Sequence, residues 1–180
     1  DVLCHGDYTG SIALTPSGGT PPYSYSWANT SFQLSVVSSS INNFPAEDYI
    51  FQVTDSQGCL NSDTLSIDEP EPLTGNFSVT HILCKGDSTG VITTDIGGGH
   101  EPYSFIWTNG AVSSDLEFIP AGLYELLITD ENNCTRTDQV IVEEPEMELT
   151  SSYQVENVTC YSGEDGSIQA DILGGTTPYN

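Results

Sequence analysis

Apolar and polar residues alternate along much of this chain in short runs. Tyr23, Tyr25 and Trp27 are interleaved with Ser24 and Ser26, and Tyr49, Phe51 and Val53 with Ile50, Gln52 and Thr54. Successive side chains of a strand point to opposite faces, so a period of two with one apolar set predicts a strand that lays one face on a core. Tyr103, Phe105 and Trp107 repeat the pattern, as do Tyr124, Leu126 and Ile128. Shorter alternations at Ile12 and Leu14, at Leu65 and Ile67, and at Val140 and Val142 predict further strands. The three-and-four spacing of an amphipathic helix is missing throughout. Strands of roughly six residues with turn signals every 8 to 12 predict an all-β fold, built from a seven-strand-type antiparallel sandwich.

The pattern is also periodic on a longer scale. Leu3-Cys4-His5-Gly6-Asp7-Tyr8-Thr9-Gly10 returns as Leu83-Cys84-Lys85-Gly86-Asp87-Ser88-Thr89-Gly90, and a third copy opens at Cys160. Gly18-Gly19-Thr20-Pro21-Pro22-Tyr23-Ser24-Tyr25-Ser26-Trp27 returns as Gly98-Gly99-His100-Glu101-Pro102-Tyr103-Ser104-Phe105-Ile106-Trp107, then as Gly174-Gly175-Thr176-Thr177-Pro178-Tyr179. The copies are bounded by Asp68-Glu69-Pro70-Glu71-Pro72 and by Glu143-Glu144-Pro145-Glu146. Proline fixes φ and clustered carboxylates repel, so these junctions predict units held apart in an extended rod. The expected division is residues 1–70, residues 71–145, and an incomplete third unit over 146–180 that stops at Asn180. Such a remnant has too few core positions to fold alone.

The ordered set of Cys4, Gly6-Asp7, Gly10-Ser11-Ile12, the Gly-Gly-Thr-Pro-Pro-Tyr-Ser-Tyr-Ser-Trp run, Val53-Thr54-Asp55, Gly58-Cys59 and Ile67-Asp68-Glu69-Pro70 resembles the SprB repeat of Bacteroidota cell-surface proteins, gliding-motility adhesins among them. The Pro-Tyr-Ser-Tyr-Ser-Trp strand is also similar to the matching strand of PKD-type Ig-like domains. The resemblance covers two whole repeats and the start of a third. It implies tandem Ig-like antiparallel β-sandwich domains in a large secreted filament or adhesin, exported by the type IX system and often sugar-coated.

Charge narrows the partners. Of 180 residues, 26 are Asp or Glu and 2 are Lys or Arg, a formal net charge of −24. Nucleic-acid binding needs clustered Lys and Arg, and only Lys85 and Arg136 are present, so nucleic acid is excluded, and attraction to anionic lipid with it. No apolar run reaches the roughly 20 residues of a spanning helix, so no membrane insertion is expected. The hydrophobic share of 37%, with 9 Tyr, 6 Phe and 2 Trp, suffices for ordered cores.

Candidate chemistry is sparse. Each complete repeat has two cysteines, so the expected disulfides are Cys4 with Cys59 and Cys84 with Cys134, which would place the chain outside the cytosol; reduced, buried thiols are the alternative. Cys160 has no partner in its truncated copy. Acids recur at equivalent places, Asp7 with Asp87, Asp55 with Asp130, Asp68 with Glu143 and Glu69 with Glu144. Carboxylates suit Ca2+, although no Asp-x-Asp-x-Asp-Gly loop is present and a solvated acidic surface explains them as well. Asn29, Asn76, Asn133 and Asn157 open Asn-x-Ser/Thr sequons. Thr64 and Ser88 look like the Asp-Ser/Thr sites of Bacteroidota O-glycosylation, so the resemblance implies them as glycan positions. His5, His81 and His100 have no histidine counterpart in another copy, and no Gly-x-Ser-x-Gly, His-Glu-x-x-His or phosphate loop occurs, so no enzyme is expected. The expected function is the stalk of an extracellular surface adhesin or fibril whose partners are its neighbouring repeats. The alternatives are a carbohydrate-binding module for surface glycans, using exposed aromatics such as Tyr8 or Tyr161, and a fibril subunit that polymerises by strand exchange.

Overall fold

The computed structural model describes residues 1–29, 33–34 and 36–179, so the Ser31 hydroxyl of the first sequon and the last residue, Asn180, lie outside the described residues. The described residues form antiparallel strands and no helix. The chain divides into two compact units. One comprises Asp1–Thr74, Ile96–Tyr103 and Thr129–Arg136, the other Gly75–Asp95, Ser104–Ile128 and Thr137–Asn180.

In the first copy, β1 (Gly10–Ala13), β2 (Ser24–Asn29), β3 (Gln33–Leu34), β4 (Ser40–Phe44), β5 (Glu47–Thr54) and β6 (Leu60–Ile67) make two sheets, β1-β4 and β3-β2-β5-β6. The alternating apolar positions meet between them. Trp27, Tyr49, Ile41 and Ile67 are buried with Val2, and Ile12, Leu14 and Phe51 pack against that cluster. Trp27 opposes Phe51 across the β2–β5 ladder, with ring centroids 6.0 Å apart. Its indole Nε1–H donates to Ser38 O at 2.8 Å, so the one polar atom of the buried ring is satisfied. Gly10 is required by close approach, because a Cβ there would stand 2.8 Å from the Phe44 carbonyl oxygen. The Tyr49 hydroxyl donates to Pro45 O at 3.1 Å, the tyrosine corner of Ig-like sandwiches.

The second copy repeats the plan with its six described strands divided three and three. β7 (Thr74–Thr80), β8 (Gly90–Gly97), β9 (Ser104–Trp107), β10 (Leu116–Ile119), β11 (Gly122–Thr129) and β12 (Thr135–Val142) form the sheets β10-β8-β7 and β12-β11-β9. Trp107, Ile92, Leu126, Ile128 and Val142 are buried, the Trp107 Nε1–H donates to Ser113 O at 2.9 Å, and Tyr124 donates to Pro120 O at 2.8 Å. One core expectation fails. Leu65 was expected to face the core but is exposed, although it lies directly opposite buried Tyr49. It sits on the edge strand β6, and the sheet facing it has two strands where the second copy has three. Its counterpart Val140 is buried.

The third copy supplies β13 (Thr150–Glu156) and β14 (Ser167–Leu173), paired antiparallel from Thr150↔Leu173 to Glu156↔Ser167, with every residue of both strands exposed. The turn after β14 matches those of the other copies. Tyr179 donates to Gly174 O as Tyr23 does to Gly18 O and Tyr103 to Gly98 O, at 2.6 to 2.7 Å. In each, the Gly-Gly pair takes positive φ, 78° and 66° at Gly18 and Gly19, the left-handed region open to glycine.

Candidate functional site

Each complete copy carries two kinds of cysteine turn, built by different acids. In the first kind the chain reverses just before β1 in the first copy and just before β8 in the second. Asp7 N–H donates to Cys4 O at 3.1 Å, Gly6 N–H to Glu69 Oε2 at 2.6 Å, and Val2 N–H to Asp68 O at 2.8 Å. The second copy reproduces all three: Asp87 to Cys84 at 3.2 Å, Gly86 to Glu144 Oε2 at 2.6 Å and Ile82 to Glu143 O at 2.9 Å. Even the variable residue keeps its role of tying the turn to the acidic junction. His5 Nδ1 lies 3.1 Å from Pro70 O and 3.2 Å from Glu69 Oε1, while Lys85 Nζ donates to Glu146 O at 2.5 Å.

The second kind follows the Val-Thr-Asp strand. Asp55 accepts Thr20 N–H on Oδ2 at 2.9 Å, and Gln57 and Cys59 N–H on Oδ1 at 2.9 and 2.8 Å. Buried Asp130 accepts His100 N–H at 2.9 Å and Cys134 N–H at 2.8 Å in the same way. These donors, that of Thr20 first and that of Cys59 next, hold the Asp55 carboxyl below the usual carboxylate range. The acids therefore act as clamps that set the cysteine on the turn. A cleft of about 390 Å³ opens beside Cys59, with Tyr23, Phe51, Val53 and Leu60 in its walls.

The cysteines do not pair within copies as expected. Cys4 is bonded to Cys134, with Cα atoms 5.6 Å apart and 130 residues between them in sequence, and Cys59, Cys84 and Cys160 are exposed free thiols. Both partners belong to the first compact unit. The expected bond is excluded by strand length. Cys59 precedes β6 and Cys4 is tied to the residues after it, so the two lie at opposite ends of a strand that rises about 3.3 Å per residue, roughly 30 Å in all. β12 separates Cys134 from the Cys84 turn in the same manner. Counting cysteines per repeat ignores which end of the sandwich each occupies. The alternation at Leu65 and Ile67, lying between Cys59 and the Glu-Pro boundary, is the sequence signal that could have shown a strand separating the two.

The other candidates stay apart. Glu69 is brought to the turn that holds Asp7, and Glu144 to that of Asp87, whereas Asp55 and Asp130 lie at the far ends of β6 and β12. Among the described residues no group of three or more His, Cys, Asp or Glu side chains is placed to hold a metal ion. Asp68 and Glu143 act through their main-chain carbonyls, and Glu143 N–H donates to His81 Nδ1 at 3.0 Å. Thr64, on β6, and Ser88, in the turn before β8, are both exposed. Tyr8 is 66% exposed and Tyr161 fully so, but the copies carry no aromatic at equivalent places.

Two facing antiparallel sheets, a buried Trp on the strand beside the tyrosine-corner strand, and a plan repeated along the chain define a tandem Ig-like β-sandwich protein. The SprB repeat family matches residues 1–32, 76–112 and 152–180, more than half of the chain. The chain belongs to the SprB repeat family. SprB repeats are typical of cell-surface proteins, and the disulfide is consistent with an extracellular location. No curated protein sequence matches the chain. Similar solved structures include the amphioxus IgVJ-C2 molecule, at 15% identity over 78% of this chain and 99% of that one, TM-score 0.37. The three N-terminal domains of the bacteriophage RB49 highly immunogenic outer capsid protein align at 12% identity over 91% of this chain and 64% of that one, TM-score 0.49. A Dscam structure aligns at 17% identity over 76% and 41%, TM-score 0.34.

Proposed function

We propose that the chain is a stalk segment of an extracellular surface adhesin or fibril, a spacer whose work is done by its repeats together rather than by a pocket. The observation that carries this reading is the bond from Cys4, in the opening turn of one copy, to Cys134, in the Asp-clamped turn of the next. A covalent tie between consecutive copies fixes their succession, which a ligand-binding module does not need and a spacer does. The charge of −24 supports it, since a uniformly acidic surface repels copies of itself and keeps a crowded filament layer soluble. The division into units over 1–70, 71–145 and from 146 onward belongs to the same reading, with the Glu-Pro junctions as spacers.

Small-angle scattering on the oxidised chain tests it. A compact globule of 180 residues has a radius of gyration of about 16 Å, and the stalk should exceed that clearly, in calcium or in chelator. A value near the compact figure would contradict the rod. Saturable binding to one class on a glycan array would instead support the carbohydrate-binding module.

A further inference from the structure

The two kinds of cysteine turn are complementary, and each occurs once more with its thiol unpaired. Cys84 occupies the turn equivalent to that of bonded Cys4, held by the same donation from Gly86 to Glu144 at the same 2.6 Å. Cys59 occupies the turn equivalent to that of bonded Cys134, with its N–H on the clamping aspartate at the same 2.8 Å. Around the closed bond, Asn132 Nδ2 donates to Leu3 O at 3.2 Å. The same positions near the open thiols hold Gln57, which can donate likewise, and Leu83, whose side chain is 74% exposed.

We propose that Cys84 and Cys59 are the two halves of further inter-repeat disulfides: Cys84 bonds the Asp-clamped cysteine of a following SprB repeat, and Cys59 the opening-turn cysteine of a preceding one. The partner is thus another repeat of this class presenting the opposite turn. Closure converts two thiols to one disulfide, and the two protons and two electrons pass to a disulfide oxidant such as oxidised glutathione, which leaves as two thiols. The inference rests on the stalk reading only in taking repeats to succeed one another. An elongated scattering profile and a failed pairing, or the reverse, would separate the two.

The test uses a chain in which Cys160 is replaced, C160S, so that one thiol of each kind remains. It is oxidised with glutathione disulfide, resolved without reduction, and the linked peptides of the covalent oligomers are mapped. The expected product is head-to-tail, Cys59 of one copy to Cys84 of another, with Cys4–Cys134 intact. This pairing should exceed either like-with-like pairing roughly tenfold, the ratio that about 1.4 kcal/mol of complementary docking produces. A statistical mixture of Cys59–Cys59, Cys84–Cys84 and Cys59–Cys84 would overturn the proposal, as would glutathione adducts on monomers alone. In the secreted native protein, the mass of the species carrying the Cys84 linkage tells a following repeat of the same chain from a second molecule.

Discussion

Trp27 and Trp107 each occupy the centre of a sandwich at 1% exposure, with the indole N–H satisfied by a main-chain carbonyl. Truncation removes a large apolar body and leaves a cavity and an orphaned carbonyl. Either Trp→Ala should therefore cost about 3–5 kcal/mol in its own sandwich, read by chemical denaturation followed by circular dichroism, while the fluorescence of the remaining ring reports an unchanged transition in the other sandwich. At the clamps the decisive quantity is protonation. The folded pKa of Asp55 lies below its unfolded value because three N–H groups favour the carboxylate. Its contribution is therefore complete above about pH 3.9 and is lost as pH falls through the lower folded value. Thr20 and Cys59 amide shifts followed by NMR should titrate together with a midpoint below about 3.9; a midpoint at or above it would remove the clamp. Asp130 is buried, and Asp130→Ala strands the His100 and Cys134 amides, so a loss of about 2–4 kcal/mol is expected in thermal unfolding.

Among the elements, β11 and the β13–β14 pair are opposites. β11 is central in its sheet and buries Tyr124, Leu126 and Ile128, whereas β13 and β14 form a two-stranded ladder with no buried residue. A lone hairpin is marginal in water, so amides of β13 and β14 should exchange with deuterium far ahead of those of β11. Equal protection would show that something covers the hairpin. The strands and their inward faces were legible because alternation reports burial directly: Tyr49, Trp27, Leu126 and Ile128 were each placed by period alone. Leu65 was misplaced because its burial depends on how many strands face it, a property of the opposite sheet rather than of its own neighbours. The cysteine partners were illegible for a related reason. Repetition marks Cys4 and Cys84 as equivalent, but pairing depends on which end of a strand each turn occupies, and that follows from topology.

At the scale of the molecule, the Cys4–Cys134 bond closes a loop of 130 residues. On the chain-entropy argument such a closure stabilises by about 4–5 kcal/mol, so reduction, or Cys4→Ser, should lower the unfolding midpoint of the first copy visibly in calorimetry. An unchanged midpoint would mean that the copies are already fixed without it. The same bond also redirects tension. A pull applied at Asp1 and at the far end of the chain enters at Cys4, crosses one sulfur–sulfur bond and leaves at Cys134, so every strand from β1 to β11 lies off the path. A pull of this kind would pass through the bond and along β12, while the tryptophan strands β2 and β9 would lie outside its path. After reduction, unfolding of the two sandwiches would make roughly 430–470 Å of contour available between Cys4 and Cys134, lengthening that force spectroscopy should record with reductant and not without it.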